Sequence, residues 1–226
     1  MPSTQSSKSR LQGGRLIPEL NDQIDHAFRV GDWTTVSDTT LALLNAVEDE
    51  KACIDATAHP LGFIHAPLFA RDNGSRLRLH LWPKEPFEPQ HPAWFVHCHA
   101  WPLQSAVVKG MIRDSRYQVI DHASGISQLY EASYQGDNSV LTPSGRKVSS
   151  ELKSSTVETQ ESTYTVPLNT FHTSKAVTDA ITVVESGIPS GTKALVVGSR
   201  GSKQVVYRRR ALAPIEIVEL IHRLVK

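Results

Sequence analysis

The chain has 226 residues, the size of one ordinary domain with room for a terminal extension. Its 24 Lys and Arg residues balance 23 Asp and Glu residues, so charge gives no reason to expect a nucleic acid or an anionic membrane as a partner. The two cysteines, Cys53 and Cys98, exclude a disulfide framework, and because no apolar run is long enough for a membrane span or a signal peptide, we expect a cytoplasmic protein.

Two helices are predicted near the N-terminus, after a polar segment. Residues 1–16 are polar and rich in serine, so we expect them to be disordered. Over residues 17–57, apolar side chains recur at helical spacing in two stretches. Pro18 lies near the start of the first stretch, and Asp32 suits the N-cap of the second. This pattern predicts an N-terminal helical extension.

From residue 58 the sequence changes to short runs of β-forming residues separated by Gly, Pro, Asn and Asp. The runs "GFIHAPLF" and "RLRLHLW" flank "ARDNGS", which is typical of a β-hairpin. About ten or eleven such runs with little helix between them favour an antiparallel sandwich or barrel over residues 58–210. Residues 211–226 predict a closing helix with Pro214 in its first turn.

One polar stretch interrupts the strand pattern. The segment 142–162 is rich in Ser, Thr and charged residues. Its composition leaves two structures open, a projecting hairpin or a mobile loop. It also leaves two roles open, a functional lid or a dispensable insertion.

Two histidines one residue apart, His97 and His99, lie at the end of the aromatic run "AWFVHCH". Side chains at i and i+2 point to the same face of a strand, so both imidazoles are placed for adjacent positions on one metal ion. Cys98 lies between them, and we expect it to point to the opposite face as a buried, inert thiol. Taken alone, the pair has an alternative interpretation as two ordinary half-buried histidines, because the chain has ten.

Later residues give this pair a family context. Gly110 ends the next predicted strand, and in "YTVPLNTFH" Pro167 precedes His172 by five residues. The constellation resembles the two motifs of the cupin family, G-x5-H-x-H-x3-4-E-x6-G and G-x5-P-x-G-x2-H-x3-N. The partly matching positions are His97, His99, Gly110, Pro167, Asn169 (where the motif has its second Gly) and His172.

The resemblance covers about residues 58–200 and implies both a fold and a metal site. The implied fold is mainly β, a cupin-type jelly roll or double-stranded β-barrel with N-terminal helices and a short C-terminal helix. In that fold both motifs line one barrel, so His97, His99 and His172 would be the ligands of one metal. Cupin barrels commonly pair through their sheet edges, so the resemblance also implies a homodimer.

The positions at which the sequence departs from the two motifs indicate which branch of the cupin family it resembles. The glutamate of the first motif is absent, since counting forward from His99 gives Gln104 and counting back from Gly110 gives Leu103. Ala176 stands where the second motif has Asn. Three histidines without a carboxylate are similar to the thiol dioxygenase branch of cupins, which includes cysteine dioxygenase. No S-x-H-x-Y occurs here, so that branch's relay and its thiol substrate are not implied.

Three neutral imidazoles would leave a divalent ion with its full charge and with open positions, which favours an anionic, chelating substrate. The resemblance favours Fe(II) and O2, hence a non-haem iron oxygenase acting on a small, polar, carboxylate-bearing molecule. Zn, Ni, Cu or Mn are alternative ions. Two other functions stay open: an O2-independent isomerase, lyase or hydrolase, in which the ion is a Lewis acid, and a small-molecule-binding cupin without catalysis.

The run "RLRLHLWP" supplies candidates for substrate binding. Its alternation places Arg76, Arg78 and His80 on one face and leucines on the other. If the polar face lines the barrel mouth, Arg78 would clamp a carboxylate and His80 would serve as an acid or base. The alternative is a solvent-facing strand, which is the preferred interpretation for Arg76.

Three further side chains are candidates near the metal. We expect Trp101 to form an apolar wall of the substrate pocket, Tyr164 to donate a hydrogen bond into the site, and Gln104 to be a weak fourth ligand or a hydrogen-bond donor to a ligand. His59 and His65 are predicted to be hydrogen-bonded structural histidines. The basic run 207–210 is predicted to be a solvated strand end.

Overall fold

The structure, a computed structural model, describes the backbone from residue 6 to residue 226 and the side chains from residue 17 onward. Residues 1–5 of the segment predicted to be disordered lie outside the described residues. Residues 6–16 of that segment belong to the first helix.

Three helices flank the strands, and they match the predicted N-terminal pair and closing helix. They are α1 (Ser6–Val30), α2 (Trp33–Glu48) and α3 (Pro214–Val225). Asp32 caps α2 as expected, because its carboxylate accepts a hydrogen bond from the Thr35 amide at 3.1 Å. None of the helices in the described part of the chain combines the length and the apolar character that crossing a bilayer requires.

Thirteen strands occupy the region between α2 and α3 in the described chain. They are β1 (Thr57–Ala58), β2 (Ile64–Ala70), β3 (Arg76–Trp82), β4 (His97–Cys98), β5 (Leu103–Lys109), β6 (Met111–Asp121), β7 (Ser127–Gln135), β8 (Asn138–Thr159), β9 (Thr163–Val166), β10 (Phe171–Ala176), β11 (Ala180–Ser186), β12 (Ala194–Ser199) and β13 (Val205–Arg208). The mainly β class is therefore confirmed.

The strands form two antiparallel sheets. Sheet A has the order β1-β2-β3-β11-β5-β9, and sheet B has the order β13-β8-β6-β10-β4-β12-β7. The long strand β8 pairs with β7 through its first half and with β6 through its second half. Most of the polar segment 142–162 therefore belongs to β8, and the mobile-loop alternative is wrong. The jelly-roll topology itself stays a prediction.

The main core lies between one face of sheet A and the three helices. Leu77, Leu79 and Leu81 of β3 are all fully buried on this face. They belong to one cluster with apolar side chains of the helices, among them Leu44 of α2 and Ile221 of α3. The opposite face of β3 is thereby left free to line a cavity between the sheets.

Truncation of this leucine row tests the packing of helices on sheet A. We expect Leu79→Ala to lower the free energy of unfolding by about 2–5 kcal/mol, because it removes a fully buried side chain and leaves a cavity. Leu152→Ala on the exposed part of β8 is the matched control and should change it by less than about 0.5 kcal/mol. Urea denaturation followed by circular dichroism measures both. Equal losses would contradict the assigned core.

Candidate metal centre

Sheet B brings the three predicted ligands together. His97 lies on the two-residue strand β4, and His172 lies directly opposite it on β10 in the antiparallel register. His99 follows β4 and shares the face of His97 because the two are separated by one residue. The histidine pair and its remote partner therefore meet through strand pairing, as predicted.

The imidazole nitrogens converge at bonding geometry. The Nε2 atoms of His97 and His99 are 3.2 Å apart, and those of His99 and His172 are 3.1 Å apart. All three ligand nitrogens lie within 4.8 Å of one another. An ion about 2.1 Å from both nitrogens of either close pair would make an angle of about 95–100° with them, between octahedral and tetrahedral values. The donor set fits a divalent transition metal ion.

Two of the imidazoles are fixed in the tautomer that a metal ligand needs. The Nδ1–H of His97 donates to the Phe95 carbonyl at 2.7 Å. The Nδ1–H of His172 donates to Oδ1 of Asp114 at 3.1 Å. Since neither acceptor can supply a proton to the ring, each Nε2 presents a lone pair.

These lone pairs create a conflict that a cation resolves. Both the His97 and the His172 lone pairs point at Nε2 of His99, which carries one hydrogen at most. A single N–H satisfies only one of them, so without an ion two lone pairs face each other. A cation at the point of convergence accepts all three.

Burial keeps the triad neutral. It lowers the pKa of His97 and holds the pKa values of His99 and His172 well below the usual value, with the neighbouring imidazoles adding to the effect on the latter two. Neutral imidazole is the form that coordinates metal.

Asp114 is a functional candidate that the sequence did not reveal. It lies on β6, is 3% exposed, and holds His172 in its metal-binding orientation. Its other oxygen, Oδ2, contacts Nε of Arg116 at 2.6 Å. Burial raises the pKa of Asp114, and Arg116 opposes that rise. A carboxylate that orients a ligating histidine in this way is a recurrent partner of metal sites.

The triad opens on a cavity of about 790 Å³ between the two sheets. Four of the five predicted supporting residues line it: Arg78, His80, Trp101 and Tyr164. At Arg78 and His80 the polar face of β3 thus lines the cavity. Arg76, for which the sequence favours a solvent face, is exposed as predicted and also lies at the cavity wall.

Gln104 requires a correction. On β5 the residues that line the cavity are Leu103 and Ser105, and Gln104 is absent from the lining. Successive side chains of a strand point to opposite faces, so Gln104 is directed away from the triad. It is therefore neither a fourth ligand nor a donor to one. Counting along the family motif from His99 leads to Gln104. The alternation of side chains along β5 decides which face of the sheet Gln104 occupies.

Trp101 and Arg78 lie next to the triad. The Trp101 ring stacks against the His99 ring with centroids 5.9 Å apart, and the Arg78 guanidinium carbon is 5.9 Å from the Trp101 centroid. The indole Nε1 is buried and has no hydrogen-bond partner among the described residues.

His80 and Tyr164 complete the polar lining. Burial holds the pKa of His80 well below its usual value, and the charges of His65 and Arg78 lower it further. Tyr164 lies opposite Ser105 in the β5–β9 register, and burial raises its pKa. His80 is thus neutral and Tyr164 is protonated, and both line the same cavity.

The sequence predicts structural roles for Cys98, His59 and His65. Cys98 is buried, and burial raises the pKa of its thiol, as expected for an inert cysteine. His59 is hydrogen-bonded as predicted, because its Nδ1 accepts from the Leu61 amide at 3.2 Å, and both His59 and His65 also line the cavity. Burial lowers the pKa of His65 to about 3.

Comparison of the chain with protein-family models gives no match, and comparison with curated proteins gives none either.

The role of Asp114 leads to a direct prediction. Asp114→Asn should weaken binding of a divalent metal about 10–100-fold, because His172 loses the carboxylate that orients it and raises its basicity. Asp121→Asn, at the exposed end of the same strand, is the control and should leave the affinity unchanged. Competition with a chromophoric chelator measures both affinities. Equal affinities of the two variants would show that Asp114 does not support the ion.

Proposed function

We propose that the protein is a non-haem iron(II)-dependent oxygenase of cupin type, with a jelly-roll barrel, acting on a small carboxylate-bearing molecule that chelates the metal. The observation that supports this most directly is the convergence of three imidazole lone pairs on one point of a large cavity. Imidazole suits iron, and equally zinc, copper and nickel. The preference for iron and O2 comes from the resemblance to three-histidine cupins.

The charge of the site favours an anionic substrate. Three neutral histidines compensate none of the charge of a divalent ion, and Asp114 is already paired with Arg116. No Asp or Glu lines the cavity in the part of the chain with described side chains. The entering molecule therefore has to supply the negative charge, and a chelating carboxylate does so.

The chain's own residues would orient this substrate and handle its protons. When bound, iron would supply a position for the substrate and one for O2. Arg78 stabilises negative charge on the substrate, and the neutral ring of His80 accepts a proton from it. Tyr164 donates a hydrogen bond, and Trp101 covers the His99 side of the site. Phe63 and Trp82 form an aromatic wall with ring centroids 4.3 Å apart. This wall keeps water away from the bound substrate.

His80 also favours a second function, an O2-independent isomerase or lyase. A neutral base beside a divalent ion is the arrangement that removes a proton next to a metal-bound carbonyl. Oxygen uptake separates the two functions: consumption of O2 with a carboxylate substrate supports the oxygenase. Turnover without O2 would support the second function.

Removal of the third ligand tests the metal site itself. We expect His172→Ala to lose stoichiometric metal while keeping its circular dichroism spectrum, because two remaining imidazoles bind a divalent ion far more weakly. His122→Ala, an exposed histidine outside the cavity, is the matched control and should keep the metal. Elemental analysis of both purified variants gives the ratio of metal to chain. A His172→Ala protein that retains one ion per chain would reject His172 as a ligand.

A further inference from the structure

Three arginines lie together in the cavity wall. Arg76 and Arg78 project from the same face of β3 in sheet A, and Arg209 follows β13 of sheet B. We call these three the arginine cluster. Tyr134 of β7 lies among them, with the Arg209 guanidinium carbon 4.6 Å from its ring centroid. Arg76 and Tyr134 are exposed, so the cluster marks an end of the cavity that reaches solvent.

The arginine cluster has no counter-ion in the described part of the protein. None of its guanidinium nitrogens lies within 4.0 Å of a carboxylate oxygen, whereas Arg71 and Arg210 each contact two carboxylates. Arg209 donates only to the Ser139 hydroxyl, at 2.8 Å. The contrast indicates that this cavity concentrates positive charge without internal compensation.

The positive charges act on one another. Burial lowers the pKa of Arg78, and the charges of Arg76 and Arg209 lower it further. Two of the three arginines, Arg78 and Arg209, are half-buried. Like charges in such a setting raise the free energy of the empty cavity, and an anion that binds between them lowers it. A carboxylate, with one charge, would leave most of the cluster uncompensated. A phosphate monoester carries up to two charges and three acceptor oxygens, which match forked guanidinium donors.

Arg78 of the arginine cluster and the triad are close enough for one small molecule to reach both. Trp101 bridges them, because its ring lies 5.9 Å from the His99 ring and 5.9 Å from the Arg78 guanidinium carbon. A cavity of about 790 Å³ is ample for such a ligand.

We propose that the arginine cluster is a binding site for a phosphate monoester group, and that the substrate is a phosphorylated small molecule whose other end reaches the three histidines. The position of that other end rests on the proposed function. Binding of the phosphate group at Arg76, Arg78 and Arg209 does not depend on it.

Matched probes test the proposal on the full chain. Phenyl phosphate, benzoate and isophthalate share one ring and differ in their anionic groups, and calorimetry measures their affinities with and without bound iron. We expect phenyl phosphate to bind at least about tenfold tighter than benzoate, and Arg209→Gln and Arg76→Gln each to weaken it about tenfold. Arg208→Gln removes the same charge one position away, outside the cavity, and should leave the affinity unchanged.

Each outcome is decisive. Equal binding of phenyl phosphate and benzoate, or equal losses in Arg76→Gln and Arg208→Gln, would overturn the proposal; Arg76 is exposed, so its variant serves even if Arg209→Gln fails to fold. If isophthalate binds more tightly than phenyl phosphate and its binding depends on the arginines, the cluster is a site for a dicarboxylate, and the phosphate proposal is overturned as well. If the protein binds phosphate through the arginines but fails to bind iron when iron is supplied, the oxygenase is rejected and this inference stands. If the protein binds iron but does not prefer phenyl phosphate to benzoate, only this inference is rejected.

Discussion

The candidate site depends on the antiparallel pairing of β4 with β10. Strand β4 has only two residues, but it lies between β10 and β12, and its register puts His97 opposite His172. Two parts of the chain that are 75 positions apart thereby present their imidazoles to one point. A shift of the register by one residue would turn His172 to the other face of sheet B and separate the ligands.

Two polar contacts convert this proximity into a defined donor set. The Phe95 carbonyl and the Asp114 carboxylate each take up an Nδ1–H, which leaves the Nε2 lone pairs for a cation. The Asp114 charge is balanced by Arg116, so orientation is obtained without adding negative charge to the centre. A cation held by the three histidines would therefore keep its full charge and favour an anionic ligand. The arginines that line the cavity favour an anion as well.

The face of each strand could be derived from the sequence wherever hydrophobic residues alternate with polar ones. In β3 the leucines identify the core face, so the positions of Arg78 and His80 on the opposite face follow directly. What the alternation does not reveal is whether that opposite face meets water or a second sheet. This is why both environments stayed open for the polar residues of β3 until the second sheet was known.

Other parts of the site could not be predicted because they depend on register or on distant packing. Asp114 reaches His172 only because β6 pairs with β10 so that Asp114 lies opposite Ser174, and nothing local to Asp114 specifies that pairing. Arg209 was interpreted as part of a solvated strand end because a short basic run is typical of one. Its approach to the cavity depends on how β13 pairs with β8.

Gln104 shows the limit of motif spacing. The count from His99 led to it, but the neighbours that face the cavity are Leu103 and Ser105. A spacing rule carried over from a family fixes a position along the chain to within a residue or so. In a strand a single residue reverses the direction of the side chain, so that tolerance is too coarse.

The triad and the polar face of β3 belong to different sheets, and under the proposed function this separation has a consequence for selectivity. The three histidines lie on strands of sheet B or, for His99, directly after one, whereas Arg76, Arg78 and His80 come from alternate positions of a single strand in sheet A. Exchanges at those three positions leave the leucine row and the triad untouched. Natural variants with the same ion but new selectivity would therefore be expected to differ first at these alternate sites of β3, where diversification is least costly to folding.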